Sequence, residues 1–225
     1  MRKWEDLPEF MKCDEVKEYY NILSRKKVSL ILKRGFDLVA GVGILIVTAI
    51  PMLVIGIKIA TESEGGVFYR QERVTTYGKK FKIHKFRTMV ANADQIGSAV
   101  TVSGDNRITP TGAFLRKYRL DELPQVFDIL SGNMSFVGTR PEVVKYVKKY
   151  KPEYFATLLL PAGITSEASI KYKDEAELLD AAEDVDEVYI TKVLPEKMKY
   201  NLSSIRKFSF LGEIATMIKT VFAVL

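Results

Sequence analysis

The chain has 225 residues, with 34 Lys and Arg against 28 Asp and Glu, a formal charge of +6 and a pI near 9.2. That length can bury a core as one large or two small domains, and the charge suits an anionic partner: nucleic acid, anionic lipid or a phosphorylated metabolite. One cysteine, Cys13, excludes an intrachain disulfide, and with one histidine, His84, it leaves no ligand set for a His/Cys zinc centre and no Cys-His pair close in sequence.

After about 30 mixed polar residues, Leu38 to Ile57 reads LVAGVGILIVTAIPMLVIGI, without a charge. About 20 such residues are what a helix needs to cross a hydrocarbon core. The run begins too far in for a cleavable signal peptide, and a buried helix of a soluble domain rarely lacks a polar face over this length. Pro51 inside it predicts a bend. Both flanks are basic: Lys26, Lys27, Lys33 and Arg34 precede it, and Lys58, Arg70, Arg73, Lys79, Lys80, Lys82, Lys85 and Arg87 follow. Positive charge marks the cytoplasmic side, so a helix that enters, breaks near Pro51 and returns satisfies both flanks. A kinked helix that spans outright is the alternative, since neighbours can satisfy backbone groups freed at a proline.

Val67 to Arg70 and Phe81 to Phe86 alternate apolar and basic residues around Tyr77-Gly78, predicting a loose hairpin or paired extended segments. Most of these cations can face lipid headgroups. Lys85 and Arg87, on either side of Phe86, share one strand face and are predicted to converge on a phosphate. Gly104-Asp105-Asn106 reads as a turn and Thr109-Pro110-Thr111-Gly112 as a second break before a helical stretch, Ala113 to Arg119.

The most informative stretch follows, Arg116 to Glu142, RKYRLDELPQVFDILSGNMSFVGTRPE. Leu123, Val126, Phe127 and Leu130 recur at helical spacing and Pro124 suits a first turn, so a helix is predicted to start at Asp121 or Glu122. Its positive end would favour an ionised carboxylate and attract anions, with Arg116 and Arg119 adding charge. Adjacent carboxylates repel, and a hard cation such as Mg²⁺ would relieve that. An Asp-Glu pair in a first turn is by itself ordinary capping; its surroundings decide.

Beyond Glu142 come a basic helical stretch to Pro152, a second from Tyr154 to Leu160, and a break at Pro161-Ala162-Gly163. Asp174 to Glu187 is acidic and reads as a solvated helix with one packed face, not a metal site. Phe208 to Leu225 carries an apolar helical stripe that either lies in the membrane interface or packs on the core.

With these residues in order, the chain from Lys33 to about Leu225 resembles the bacterial sugar transferase family, the monotopic phosphoglycosyl transferases. The matching elements are Lys33-Arg34-Gly35-Phe36-Asp37-Leu38, Gln71-Glu72-Arg73, Lys85-Phe86-Arg87-Thr88-Met89, Asp105-Asn106-Arg107-Ile108-Thr109, Leu120-Asp121-Glu122-Leu123-Pro124-Gln125, Gly132-Asn133-Met134-Ser135-Phe136-Val137-Gly138, Arg140-Pro141-Glu142 and Gly163-Ile164-Thr165. The resemblance implies a mixed α/β, predominantly helical fold: a single compact catalytic domain at 61–225 with interfacial amphipathic helices, a re-entrant helix-break-helix element at 31–60, and an N-terminal extension at 1–30.

It implies transfer of a sugar 1-phosphate from a UDP-sugar to polyprenol phosphate (undecaprenyl phosphate) at the cytoplasmic face of the bacterial inner membrane. UMP is released, and the product starts a lipid-linked glycan such as O-antigen, capsule, exopolysaccharide or a glycoprotein glycan. By motif match Asp121 is the nucleophile of a ping-pong reaction, Glu122 and Asp121 hold Mg²⁺, and Arg140 in the turn with Pro141 binds phosphate. Arg116, Lys85, Arg87 and Arg73 shape the anionic site, and Asp37 anchors the membrane element to a basic partner. Expected partners are the UDP-sugar, the polyprenol phosphate and the phospholipid membrane, not nucleic acid; a second copy of the chain and downstream glycosyltransferases are candidates. The chain departs from the family pattern at Thr139, Ser166, Ile50 before Pro51, and Asn201, where Pro, Gly, Ser and Asp are usual. The rival expectation is an inactive membrane scaffold or polyprenol-binding paralogue.

Overall fold

The structure, a computed structural model, describes residues 1–93, 105–173 and 184–224. Helix α1, Asp14–Ser24, opens with Asp14 and Glu15 at its positive end and buries Val16, Tyr19 and Leu23 on one stripe. That stripe joins Met11, Leu159, Leu194 and Met198 in the main core cluster, so the N-terminal residues are built into the body of the protein.

Helix α2, Lys27–Glu62, runs as one element with Pro51 inside it, where the sequence predicts a break. A proline removes one ladder hydrogen bond, and the turns on either side continue. Both ends of α2 are tied to the same domain. Near the start, Asp37 is buried and accepts from Ser135 Oγ (3.0 Å) and the Phe136 N–H (3.2 Å), Lys33 donates to Val137 O and pairs with Glu213, and Arg34 donates to Ile129 O and Leu130 O. Asp37 therefore anchors the helix to a strand hydroxyl and amide, not to the basic partner expected. Near the end, Ile59 packs with Phe86 and Leu115. Between these anchors Ile46, Val47 and Ile50 are each more than 70% exposed.

Strand β1, Phe68–Tyr69, pairs antiparallel with β4, Lys85–Phe86, and β2, Glu72–Val74, with β3, Lys80–Lys82. The turn between β2 and β3 puts Tyr77 (φ 58) and Gly78 (φ 76) in the left-handed region, as a turn at Tyr77-Gly78 requires. Helix α3, Pro110–Lys117, starts three residues before the predicted stretch: Thr109 accepts from the Gly112 N–H (3.0 Å) as N-cap and Pro110 follows it, so Thr-Pro opens a helix there. A 3-10 turn, Leu120–Glu122, then precedes α4, Gln125–Leu130. The helix thus begins at Gln125, with Pro124 as its N-cap, and not at Asp121 or Glu122; the two carboxylates lie in the 3-10 turn just ahead of it.

Strand β5, Met134–Val137, pairs in parallel with β6, Ala162–Thr165. Pro161-Ala162-Gly163 leads into this strand, where the sequence reads as a break. A Cβ on Gly163 would lie 2.1 Å from Gly138 N, so the glycine is there for close backbone approach. Between them lie α5, Val144–Val147, and the 3-10 segment Pro152–Leu159. Then follow α6, Glu167–Lys171; α7, Val185–Val188; a π-turn, Tyr189–Val193; α8, Leu194–Arg206; and α9, Phe210–Val224. Most of the acidic run, 174–183, lies outside the described residues. Helix α9 meets α2 through Phe210 and Phe36, while Leu211, Ile218, Val221 and Phe222 face outward.

Candidate active site

Arg119 takes a left-handed conformation (φ 57, ψ 20), costing about 1–2 kcal/mol for a residue with a Cβ. It turns the chain sharply out of α3, so that Asp121 and Glu122 face β4 and the loop after β5. Asp121 is buried, and the Glu122 side chain is 12% exposed. Glu122 Oε1 accepts from both Lys85 Nζ and Arg140 Nη2, each at 2.7 Å. Lys85 Nζ also lies 4.0 Å from Asp121 Oδ2. Arg116 donates to Thr88 Oγ1 at 2.9 Å, and its charge acts on Asp121. Three cations therefore surround two carboxylates, a field suited to an anion.

Burial raises the Asp121 carboxyl above the ordinary aspartate value; Lys85, Arg116 and Arg140 oppose this, and Glu122 adds to it. Burial would raise Glu122 too, but the charges and hydrogen bonds of Arg140 and Lys85 outweigh it and hold that carboxyl well below the usual range. Lys85 and Arg116 are both shifted down, first by burial. Neighbouring carboxylates are thus driven apart: one is a fixed anion in ion pairs, the other a more basic group with weaker partners.

The structure brings together Asp121, Glu122, Lys85, Arg116 and Arg140. Arg73 works one step back. It donates to Pro141 O (3.0 Å) and, next to it in β2, the Val74 N–H donates to Glu142 O (3.0 Å), so together they hold the turn that carries Arg140 and the buried Pro141. Arg87 does not join the cluster: it donates to Ser63 O (2.7 Å), Glu64 O (2.6 Å) and Ile59 O (3.2 Å) at the end of α2. Strand alternation predicts the face of Arg87 but not the unsatisfied helix carbonyls waiting there.

Two features escape sequence reasoning. Gln125 is fully buried beside the dyad, and neither amide atom has a hydrogen-bond partner among the described residues. Glu142 is met by Tyr189 and Lys197 from far along the chain, a contact without a local signal. A cavity of about 520 Å³ also opens between α8, α9 and the ends of β5 and β6. Its walls include Thr139, Ser166 and Asn201, three of the positions that depart from the family pattern, but not Asp121, Glu122 or Arg140.

A family model described as bacterial sugar transferase matches residues 28–225. An Aeromonas hydrophila protein named UDP-N-acetylgalactosamine-undecaprenyl-phosphate N-acetylgalactosaminephosphotransferase is 32% identical over 197 residues, covering 86% of this chain and 44% of the relative. A Klebsiella pneumoniae UDP-glucose:undecaprenyl-phosphate glucose-1-phosphate transferase is 33% identical over 201 residues, covering 87% and 40%. A Salmonella typhimurium undecaprenyl-phosphate galactose phosphotransferase is 36% identical over 155 residues, covering 62% and 32%. The chain spans less than half the length of each of these three relatives.

Proposed function

The chain belongs to the bacterial sugar transferase family, and from that premise we propose that it transfers a sugar 1-phosphate from a UDP-sugar to undecaprenyl phosphate at the cytoplasmic face of the bacterial inner membrane. The observation that carries this reading is a buried Asp121, raised by burial, beside Lys85, Arg116 and Arg140. Asp121 attacks the sugar-bearing phosphorus of the donor. The bond to the bridging oxygen breaks, its electron pair leaves with UMP, and a phosphosugar ester remains on Asp121. A phosphate oxygen of the polyprenol phosphate then attacks the same phosphorus, forming the diphosphate and returning the carboxylate. Lys85, Arg116 and Arg140 offset the negative charge that would repel an attacking carboxylate. Glu122 fixes Lys85 and Arg140 in place.

Among the described residues no three His, Cys, Asp or Glu side chains converge as a metal cage. Mg²⁺ needs none, because it takes one or two carboxylates and completes its shell with water and substrate phosphates. The residues fit such an ion: Asp121 offers the hard oxygen, and Glu122, already shared by two cations, is the weaker donor. When bound, the ion supplies charge neutralisation at the donor diphosphate.

Residues 31–60 form the membrane element in this account, and 61–225 the catalytic domain to which 1–30 is packed. The re-entrant reading is supported by the anchoring of both ends of α2 on one domain while its middle is apolar and exposed. The outward apolar face of α9 supports an interfacial position. The three relatives' names carry three different sugars, so the sugar is left to the experiment.

Intact-protein mass spectrometry with a UDP-sugar and no acceptor tests the mechanism. A phosphosugar adduct that maps to Asp121 and disappears on adding polyprenol phosphate is expected. Turnover without any such adduct, and without a UMP burst when acceptor is withheld, would exclude the two-step route.

A further inference from the structure

Arg140 reaches Glu122 from a turn without regular secondary structure, and something must hold that turn still. Arg73 and Val74 fix its backbone from one side. From the other side comes a buried group of three side chains. Tyr189 Oη donates to Glu142 Oε1 at 2.6 Å, Lys197 Nζ donates to Tyr189 Oη at 3.1 Å, and Lys197 Nζ lies 3.9 Å from Glu142 Oε1. All three residues are more than 90% buried. A buried carboxylate with a hydroxyl donor and a counter-ion has one low-energy arrangement, and Glu142 is two residues from Arg140.

Tyr189 and Lys197 are eight residues apart, which on a regular helix leaves them about 80° out of line. The π-turn Tyr189–Val193 takes up one extra residue, bringing the pair to within about 20°, as for seven residues of ordinary helix. Pro195 gives this turn a cause: it has no N–H for the Thr191 carbonyl and its ring crowds that carbonyl, which a widened turn relieves. The irregular turn therefore serves to point both side chains at Glu142.

We infer that Tyr189 and Lys197 are positioning residues, which act through Glu142 to hold Arg140 where it receives the donor's diphosphate. This rests on the reading of Arg140 as a phosphate-binding residue. The test is a double-mutant cycle between Tyr189→Phe and Arg140→Ala, read by UDP binding and by steady-state kinetics, with Glu142→Gln as a second, shape-conserving entry into the network. Tyr189→Phe and Glu142→Gln are each expected to weaken UDP binding and raise the donor KM about tenfold, to leave the acceptor KM unchanged, and to have no further effect in Arg140→Ala. An equal effect with and without Arg140, or equal rises in donor and acceptor KM, would overturn positioning and leave only a structural role. Unaltered UDP binding in both single variants would overturn it as well. A wild type that binds UDP but releases no UMP from any UDP-sugar would overturn the proposed reaction alone, since the binding cycle still reads the network; a wild type that does not bind UDP overturns both.

Discussion

Burial places Asp121 at odds with its own charge, and that conflict gives two predictions. A folded pKa above the unfolded one means that, as pH rises through the window between them, the unfolded state ionises first and stability falls. Above the window the folded protein carries a carboxylate that burial disfavours. Asp121→Asn should therefore raise the thermal midpoint at neutral pH while lowering UMP release by about a thousandfold or more; a lowered midpoint would mean that attraction to the surrounding cations outweighs burial. Attack also requires the ionised form, and in the metal-free protein the Asp121 carboxyl should titrate above the ordinary aspartate range while Glu122 is held well below its own. An NMR titration of the side-chain carboxyls without Mg²⁺ checks this, and an Asp121 carboxyl that titrates at or below the ordinary value would contradict it. The Asp-Glu pair, Arg116 and Arg140 were legible as a motif. The fate of Arg87 was not, because spacing assigns a face without naming what lies opposite.

Helix α2 shows where local signals mislead and where they suffice. Its apolar length was plain, and so was the turn at Tyr77-Gly78; the continuation of the helix past Pro51 was not, since one lost hydrogen bond leaves the neighbouring turns intact. The Thr109-Pro110 pair and the Pro161-Ala162-Gly163 stretch both read as breaks. One caps α3 and the other enters β6, because Pro and Gly mark special backbone geometry wherever it occurs, at element starts and close approaches as well as in loops. The topology of α2 has a direct consequence. In a Cys13→Ser background, single cysteines at Lys26 and Glu64, exposed positions just outside and just beyond the helix, should both react with an impermeant thiol reagent from the cytoplasmic side. Labelling from opposite sides would establish a spanning helix.

At the scale of the whole molecule, the main core draws on residues that the family match leaves out. The match begins at residue 28, yet Met11, Val16, Tyr19 and Leu23 are buried against Leu159, Leu194 and Met198. Full burial of such side chains is worth about 1.5–3 kcal/mol each, against a total stability of about 5–15 kcal/mol. Deleting residues 1–24 should therefore leave an aggregating or molten protein, and a cooperative melt within a few degrees of the full chain's would refute this. The same core carries Tyr189 and Lys197 to the back of the Arg140 turn, so the fold supports the site from both sides of the chain's length. The measurement that bears most directly on the account is UMP release by the purified, detergent-solubilised full chain, over a panel of UDP-sugars with Mg²⁺ and undecaprenyl phosphate. Release from one or two sugars, abolished by Asp121→Asn, is the result predicted. Release that survives Asp121→Asn, or none from any sugar by folded protein, would contradict it.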